Sequence, residues 1–337
     1  MTIEYPNNVF APGFRFVKEI SHSNVEFVFP EWSPDGTILA LGVDSSSYAL
    51  WYKNDSRFEF RQQGGWAGAP IRVVWSSDGQ KLGISCKYDG IIQIQNLSSK
   101  ELIETGIYES RKWHNWRTKT NTFSAYGISA DEGVIDDIKW TPKGMRLITA
   151  HRSQDVIMWD AEKAEVLQQF KASQKFGSIS VVISPDGNLI TTNDDKMLLI
   201  REVNNFENVV AKSNKDLNYD WNYATAIDWS PDGRFIALGI PDIGIQILDT
   251  QTWKWINQLK GPKGFISSVK FSPKGDYLAC TGKDNIFRLW NCTDWEPKIQ
   301  VPDLTDGFIS FHPKESIVAI SAKGKVKLWE YDPSQLG

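Results

Sequence analysis

Seven times along the chain a short alternating stretch ends in a large apolar residue, a polar turn follows, and a nearly continuous apolar run comes next. The unit around Gly233 shows the physics. Ile227 and Trp229 alternate with Asp228, the period of a half-buried strand, and Ser230-Pro231-Asp232-Gly233 follows. In that turn proline presets φ, aspartate can bond the local backbone, and glycine accepts positive φ. Phe235 to Leu238 is apolar throughout, as expected of a strand covered on both faces. A second turn, Pro241 to Gly244, leads to Ile245, Ile247 and Leu248-Asp249, and a more polar stretch from Trp253 to Leu259 predicts an outer strand.

The same turn recurs as WSPDG at 32–36, WSSDG at 75–79, WTPKG at 140–144, ISPDG at 183–187, WSPDG at 229–233, FSPKG at 271–275 and FHPKE at 311–315. Successive turns end 43, 65, 43, 46, 42 and 40 residues apart. Four-stranded propeller blades repeat at roughly 40–45 residues, so the pattern predicts an all-β, seven-bladed β-propeller of antiparallel four-stranded blades, one domain over 1–337. The first residue of each turn block (Trp32, Trp75, Trp140, Ile183, Trp229, Phe271, Phe311) is a core position. A one-residue slip would expose them all, which fixes the register. A second series stands fourteen to sixteen residues beyond each turn: Trp51, Gln95, Trp159, Arg201, Leu248, Trp290 and Trp329.

Met158-Trp159-Asp160, Leu289-Trp290-Asn291 and Leu328-Trp329-Glu330 resemble the dipeptide that closes WD repeats, and the resemblance covers essentially the whole chain. It implies a turn-stabilising role for Asp44, Asp89, Asp155, Asp195, Asp242 and Asp284. The Gly-His pair that opens such repeats is missing, with Gly65-Trp66, Gly261-Pro262 and Ser21-His22 near its place. The family's network of histidine, serine or threonine, aspartate and tryptophan is therefore expected to be incomplete in most blades. The seventh repeat stops after its third strand, at Val326 to Glu330, and Phe14 to Ile20 has the alternation of an edge strand. That segment is expected to close the ring by pairing with the last blade.

The long second interval carries about 22 inserted residues, read as a loop over 109–133 between blades two and three. The resemblance places such connections on the face where WD-repeat propellers hold partners. The loop presents Trp113, Trp116, Phe123 and Tyr126 among polar residues, with Arg111 and Arg117 flanking the tryptophans. Trp66 comes from a neighbouring connection, and Tyr219, Trp221 and Tyr223 from 214–224. Aromatic residues on loops are the usual anchors of protein interfaces. These ten residues are the expected partner-binding set, and a satellite cluster folded onto the propeller is the competing reading.

Composition narrows the chemistry. A formal charge of -4 gives no general attraction to nucleic acid or anionic membrane, and neither is expected as a partner. The N-terminus has no signal-peptide pattern, which predicts a cytoplasmic protein. Cys86, Cys280 and Cys292 are too few and too separated for a disulfide framework or a zinc site. His22, His114, His151 and His312 sit in no catalytic or metal motif, and no phosphate-binding glycine loop occurs. No catalytic residue, metal or cofactor is predicted. The pairs Asp131-Glu132, Asp136-Asp137 and Asp194-Asp195 read as solvated turn acids. The function expected is a non-catalytic scaffold or sensor that binds a protein or peptide, as a component of a larger complex. A propeller regulating an enzyme or effector domain elsewhere is the alternative.

Overall fold

The computed structural model describes residues 9–23, 25–43, 47–62, 71–86, 92–98, 102–105, 108–109, 112–113, 134–172, 179–194, 197–212, 226–304 and 307–336. Its strands form seven antiparallel sheets that follow the sequence in order, plus a two-stranded hairpin. Six of the seven have four strands, and the fold is that of a seven-bladed β-propeller. The one helix among the described residues is Pro333–Leu336.

The turns follow the chemistry read from their residues and add one atom to it. In the first, Gly36 N donates to Ser33 O at 2.8 Å, and Thr37 N to Asp35 Oδ1 at 2.9 Å. Beyond these, Ser33 Oγ donates to Asp35 at 2.6 Å and accepts from Ile38 N at 3.0 Å. The hydroxyl thus clamps both ends of the turn. Ser76, Ser184 and Ser230 do the same, each donating at 2.5 Å to the aspartate two residues on. The Ser76 hydroxyl and the Gln80 N–H hold the Asp78 carboxyl below its ordinary range.

The described residues fall into two compact units. In the unit of residues 1–43, 50–57 and 225–337, strand Phe14–Ile20 pairs antiparallel with Lys325–Tyr331, from Phe14↔Tyr331 to Ile20↔Val326. The chain's start therefore completes the seventh sheet, as its alternation predicts. The short strand Val9–Ala11 is a fifth member that the sequence pattern does not announce. Phe14 lies between two rings, stacked on Trp329 at 5.0 Å and on Phe287 at 5.2 Å. With Ile299, Val301, Ile309 and Val318 these rings make a continuous core.

The seventh turn carries His312 where the other turns have serine or threonine. Its Nδ1 accepts from Lys314 N and Glu315 N, at 3.2 and 3.0 Å, so Nε2 holds the proton and donates to Gly36 O at 2.9 Å. One ring thus caps its own turn and ties it to the first. Gly36, at φ 80°, leaves the space this needs, since a Cβ there would clash with the imidazole. The Lys53–Glu315 ion pair and Trp32, edge-on to His312 at 4.7 Å, complete the joint.

In the unit of residues 44–49 and 58–224, Trp140 and Trp159 share one core with Ile92, Ile94, Ile138 and Leu147. Where the second series departs from tryptophan in this unit, the polar substitutes still bond. The Tyr48 hydroxyl donates to Gln95 Oε1. The Arg201 guanidinium lies 4.6 Å from the Phe170 ring centroid and donates to Phe206 O at 2.8 Å.

The aromatic residues that end the first strands are buried as predicted, from 5% exposed at Trp32 to 9% at Phe311; Ile183 is half-buried. Among the described residues, four of the six large apolar residues left exposed have a common cause. Val17, Leu167, Val210 and Ile256 each occupy the register shift of an outer strand, beside the second-series position. The extra residue of such a bulge faces outward and twists the edge away from further pairing.

Candidate functional site

The expected binding set falls almost wholly outside the described residues. Trp66, Arg111, Trp116, Arg117, Phe123, Tyr126, Tyr219, Trp221 and Tyr223 lie there, and Trp113 is placed by its backbone alone. Where the insertion departs, Tyr108 pairs antiparallel with Trp113 and Glu109 with Lys112. The outer strand before it is Leu102–Thr105. Tyr108 belongs to the departing hairpin.

At the root where the insertion returns, Asp136 and Asp137 are not the solvated turn acids their pairing suggests. Their side chains are 5% and 7% exposed. Arg152 reaches Asp136 at 2.9 Å, and Lys139 and Arg72 reach Asp137 at 3.1 and 3.5 Å. The remaining oxygens accept backbone N–H groups of the next repeat, Asp136 from Ile179 at 3.3 Å and Asp137 from Val181 at 3.2 Å. Burial alone would raise the Asp137 pKa, but Lys139, Arg72 and the Val181 N–H hold it below the usual carboxylate range. Asp131, Glu132 and Asp195 lie outside the described residues.

This staple recurs in the other unit. Ser268, like Asp137 three residues before its strand's aromatic, accepts Ile309 N at 3.3 Å. Asp228 and Ser310, one residue before theirs, accept Phe271 N at 2.9 Å and Trp32 N at 3.2 Å. A small polar or acidic residue at one of these two offsets is the signal that would have found them in the sequence.

A third network stands in the third repeat, where Trp159 Nε1 donates to Thr149 Oγ1 at 2.9 Å and that hydroxyl is 2.9 Å from His151 Nε2. The histidine comes from the end of strand Arg146–His151 and not from the missing Gly-His position. Accepting from tryptophan leaves the threonine proton free for Nε2, a bond that a neutral His151 can accept. Burial pushes its pKa down to about 4, against a smaller opposing pull from Asp155. The unfolded state, near 6.5, binds the proton first. The stability tied to this group is therefore complete above pH 6.5 and is lost as pH falls toward 4, up to about 3 kcal/mol. His312, its pKa lowered by burial and by Lys53, adds in the same direction. Melting curves between pH 4 and 7 should show a clearly shallower slope for His151→Asn than for the parent chain; equal slopes would remove His151 from the account.

Of the hairpin aspartates, Asp242 accepts Gly264 N at 2.8 Å, Asp284 accepts Ile286 N at 3.2 Å, and Ser153 Oγ donates to Asp155 at 2.7 Å. Asp44, Asp89 and Asp195 lie outside the described residues. Among the described residues no group of three or more His, Cys, Asp or Glu could hold a metal ion. A depression of about 360 Å³ beside Gly13, Arg15, Glu330 and Gln335 marks the junction of the N-terminal strand with the terminal helix.

Seven sheets with one shared turn, one shared aromatic register and side-chain staples between successive repeats define a repeat propeller. A family model described as Eukaryotic translation initiation factor eIF2A matches residues 66–240, slightly more than half of the chain, and one described as WD domain, G-beta repeat matches residues 253–291. The chain belongs to the WD-repeat family of β-propellers and, over residues 66–240, to the eIF2A family. It is similar to THO complex subunit 3 of Arabidopsis thaliana, 26% identical over 66% of the chain and 62% of that protein. It is also similar to WD repeat-containing protein AAC3 of Dictyostelium discoideum, 24% identical over 66% of the chain and 46% of that protein. Protein HIR1 of Candida albicans is 25% identical over 72% of the chain and 29% of its own length. The chain thus spans less than two thirds of each of these relatives.

Proposed function

We propose that the chain is a non-catalytic interaction scaffold that holds a protein or peptide partner through the loops that interrupt its repeat, chiefly 109–133. The observation that carries this reading is the single long interval between the second and third repeats, with Trp113, Trp116, Phe123 and Tyr126 in it. Two further points support it. The buried polar side chains at the insertion's root are engaged in holding successive repeats together, so Asp136 and Asp137 are structural and give the loop a fixed base. The name of the Arabidopsis relative describes a subunit of a complex, and assembly into a complex is part of this proposal.

Replacing both Trp113 and Trp116 by alanine tests it. Affinity capture from native lysate, quantified by mass spectrometry, should lose its specific partners with the double variant, while the melting temperature stays within about 2 °C of the parent. Unchanged capture would sink the proposal. A large drop in melting temperature would instead make the rings a satellite core.

A further inference from the structure

Phe29 is a phenylalanine held at φ 49°, the left-handed region that a bulky side chain avoids. Such a conformation is strained and persists where the surroundings impose it. It falls within the register shift between Val28 and Glu31 in the first repeat's first strand. The ring is half-buried and meets the half-buried ring of Phe308 at 4.1 Å, tilted by 44°. The strain therefore serves an aromatic pair at the surface and not a closed core.

Exposed cations lie along the segments touching this pair. The turn Lys323-Gly324 has φ of 49° and 74°, the values of a two-residue I′ hairpin turn, and Gly324 O accepts Phe27 N at 2.7 Å. Lys323 is thus presented from a rigid turn beside the start of the strand that carries Phe29. On the other side, Thr281 Oγ1 donates to Gly307 O, next to Phe308, and Lys283 follows Gly282. Lys283 N donates to Phe265 O at 2.9 Å, and Lys263 precedes Gly264 and the half-buried Phe265. Lys263, Lys283 and Lys323 are exposed, and among the described residues none of their ammonium groups forms an ion pair. Of the carboxylates around them, Asp284 is taken by Arg288 and Asp242 by Gly264 N, while Glu26 beside Gly324 offsets part of the charge.

We infer that Phe29 and Phe308, with Lys263, Lys283 and Lys323, form a docking site for an acidic peptide segment carrying one aromatic or leucine anchor. Unpaired ammonium groups around a half-exposed apolar pair match carboxylates around an apolar side chain. A single-stranded nucleic acid fits less well, because the two rings pack against each other at a tilt and do not form a parallel platform for successive stacked bases. The inference rests on the scaffold reading and gives the chemistry of a partner, at residues separate from the insertion.

Random peptides of about 12 residues displayed on phage, selected on the full chain at about 50 mM salt, supply the probes. The recovered peptides should be net acidic around one aromatic or leucine residue. Their affinity should fall roughly tenfold or more with Lys283→Glu plus Lys323→Glu, both exposed and so without effect on melting. Phe29→Gly, which relieves the left-handed strain while removing the ring, should weaken them comparably. Recovery of no peptides, of peptides without acidic excess, or of acidic peptides indifferent to the lysine changes would overturn the site. So would an oligo-dT that displaces the peptides while depending on the same lysines. Peptides that lose binding to the Trp113/Trp116 double variant but not to the lysine variants would leave the scaffold reading standing and remove this site alone.

Discussion

Deleting residues 1–21 should lower the melting temperature by about 10 °C or more and produce aggregating protein, visible in a thermal scan and by gel filtration. The deletion removes the strand paired with Val326 to Tyr331 and opens an edge that carries Trp329. It also takes away Phe14 and Ile20, 1% and 2% exposed. Truncating a buried phenylalanine costs about 3–5 kcal/mol and a buried isoleucine about 2–5. Against a total stability of roughly 5–15 kcal/mol, these two side chains alone take a large share. Phe14→Ala should show a smaller drop in the same direction, because the strand stays paired while Phe287 and Trp329 lose the ring between them. A truncated chain melting at the parent temperature would mean that the seventh sheet does not need its borrowed strand.

Asp137→Ala carries the other large effect, about 3 kcal/mol of stability in urea denaturation. The loss has two parts. Lys139 and Arg72 lose the buried carboxylate they both reach, and the Val181 N–H of the next repeat loses its acceptor. Asp137→Asn retains an acceptor without the charge and should fall between the two. Ser268→Ala, which removes the uncharged counterpart of the same staple, should cost only about 1 kcal/mol. If both changes at 137 left stability within about 0.5 kcal/mol of the parent, the buried acid would not be joining the repeats.

The repeat itself was legible because its signals are local. Ser-Pro-Asp-Gly dictates a turn wherever it stands, and alternation around Trp229 or Trp140 dictates a strand and its register. The donated N-terminal strand was legible by counting, since seven repeats with one outer strand missing leave Phe14–Ile20 as its substitute. The partners of the staples were not legible, because Asp136-Asp137 has the appearance of any solvated acid pair until the next repeat delivers Ile179 and Val181. His312 likewise reads as a defect in a serine turn, and its bond to Gly36 spans nearly the whole chain.

Of the binding residues expected from the sequence, the described residues include only the backbone of Trp113, and Phe29 with Phe308 came from no sequence signal at all. Residues 279 positions apart can announce a shared surface only through the fold. What the sequence by itself determined is the number of repeats, their turns, their register and the place where the pattern is interrupted, all set by backbone preferences and burial within some forty residues. What only the tertiary structure decided is which polar groups meet across repeats, because hydrogen bonds and ion pairs depend on distances between segments that no local pattern encodes.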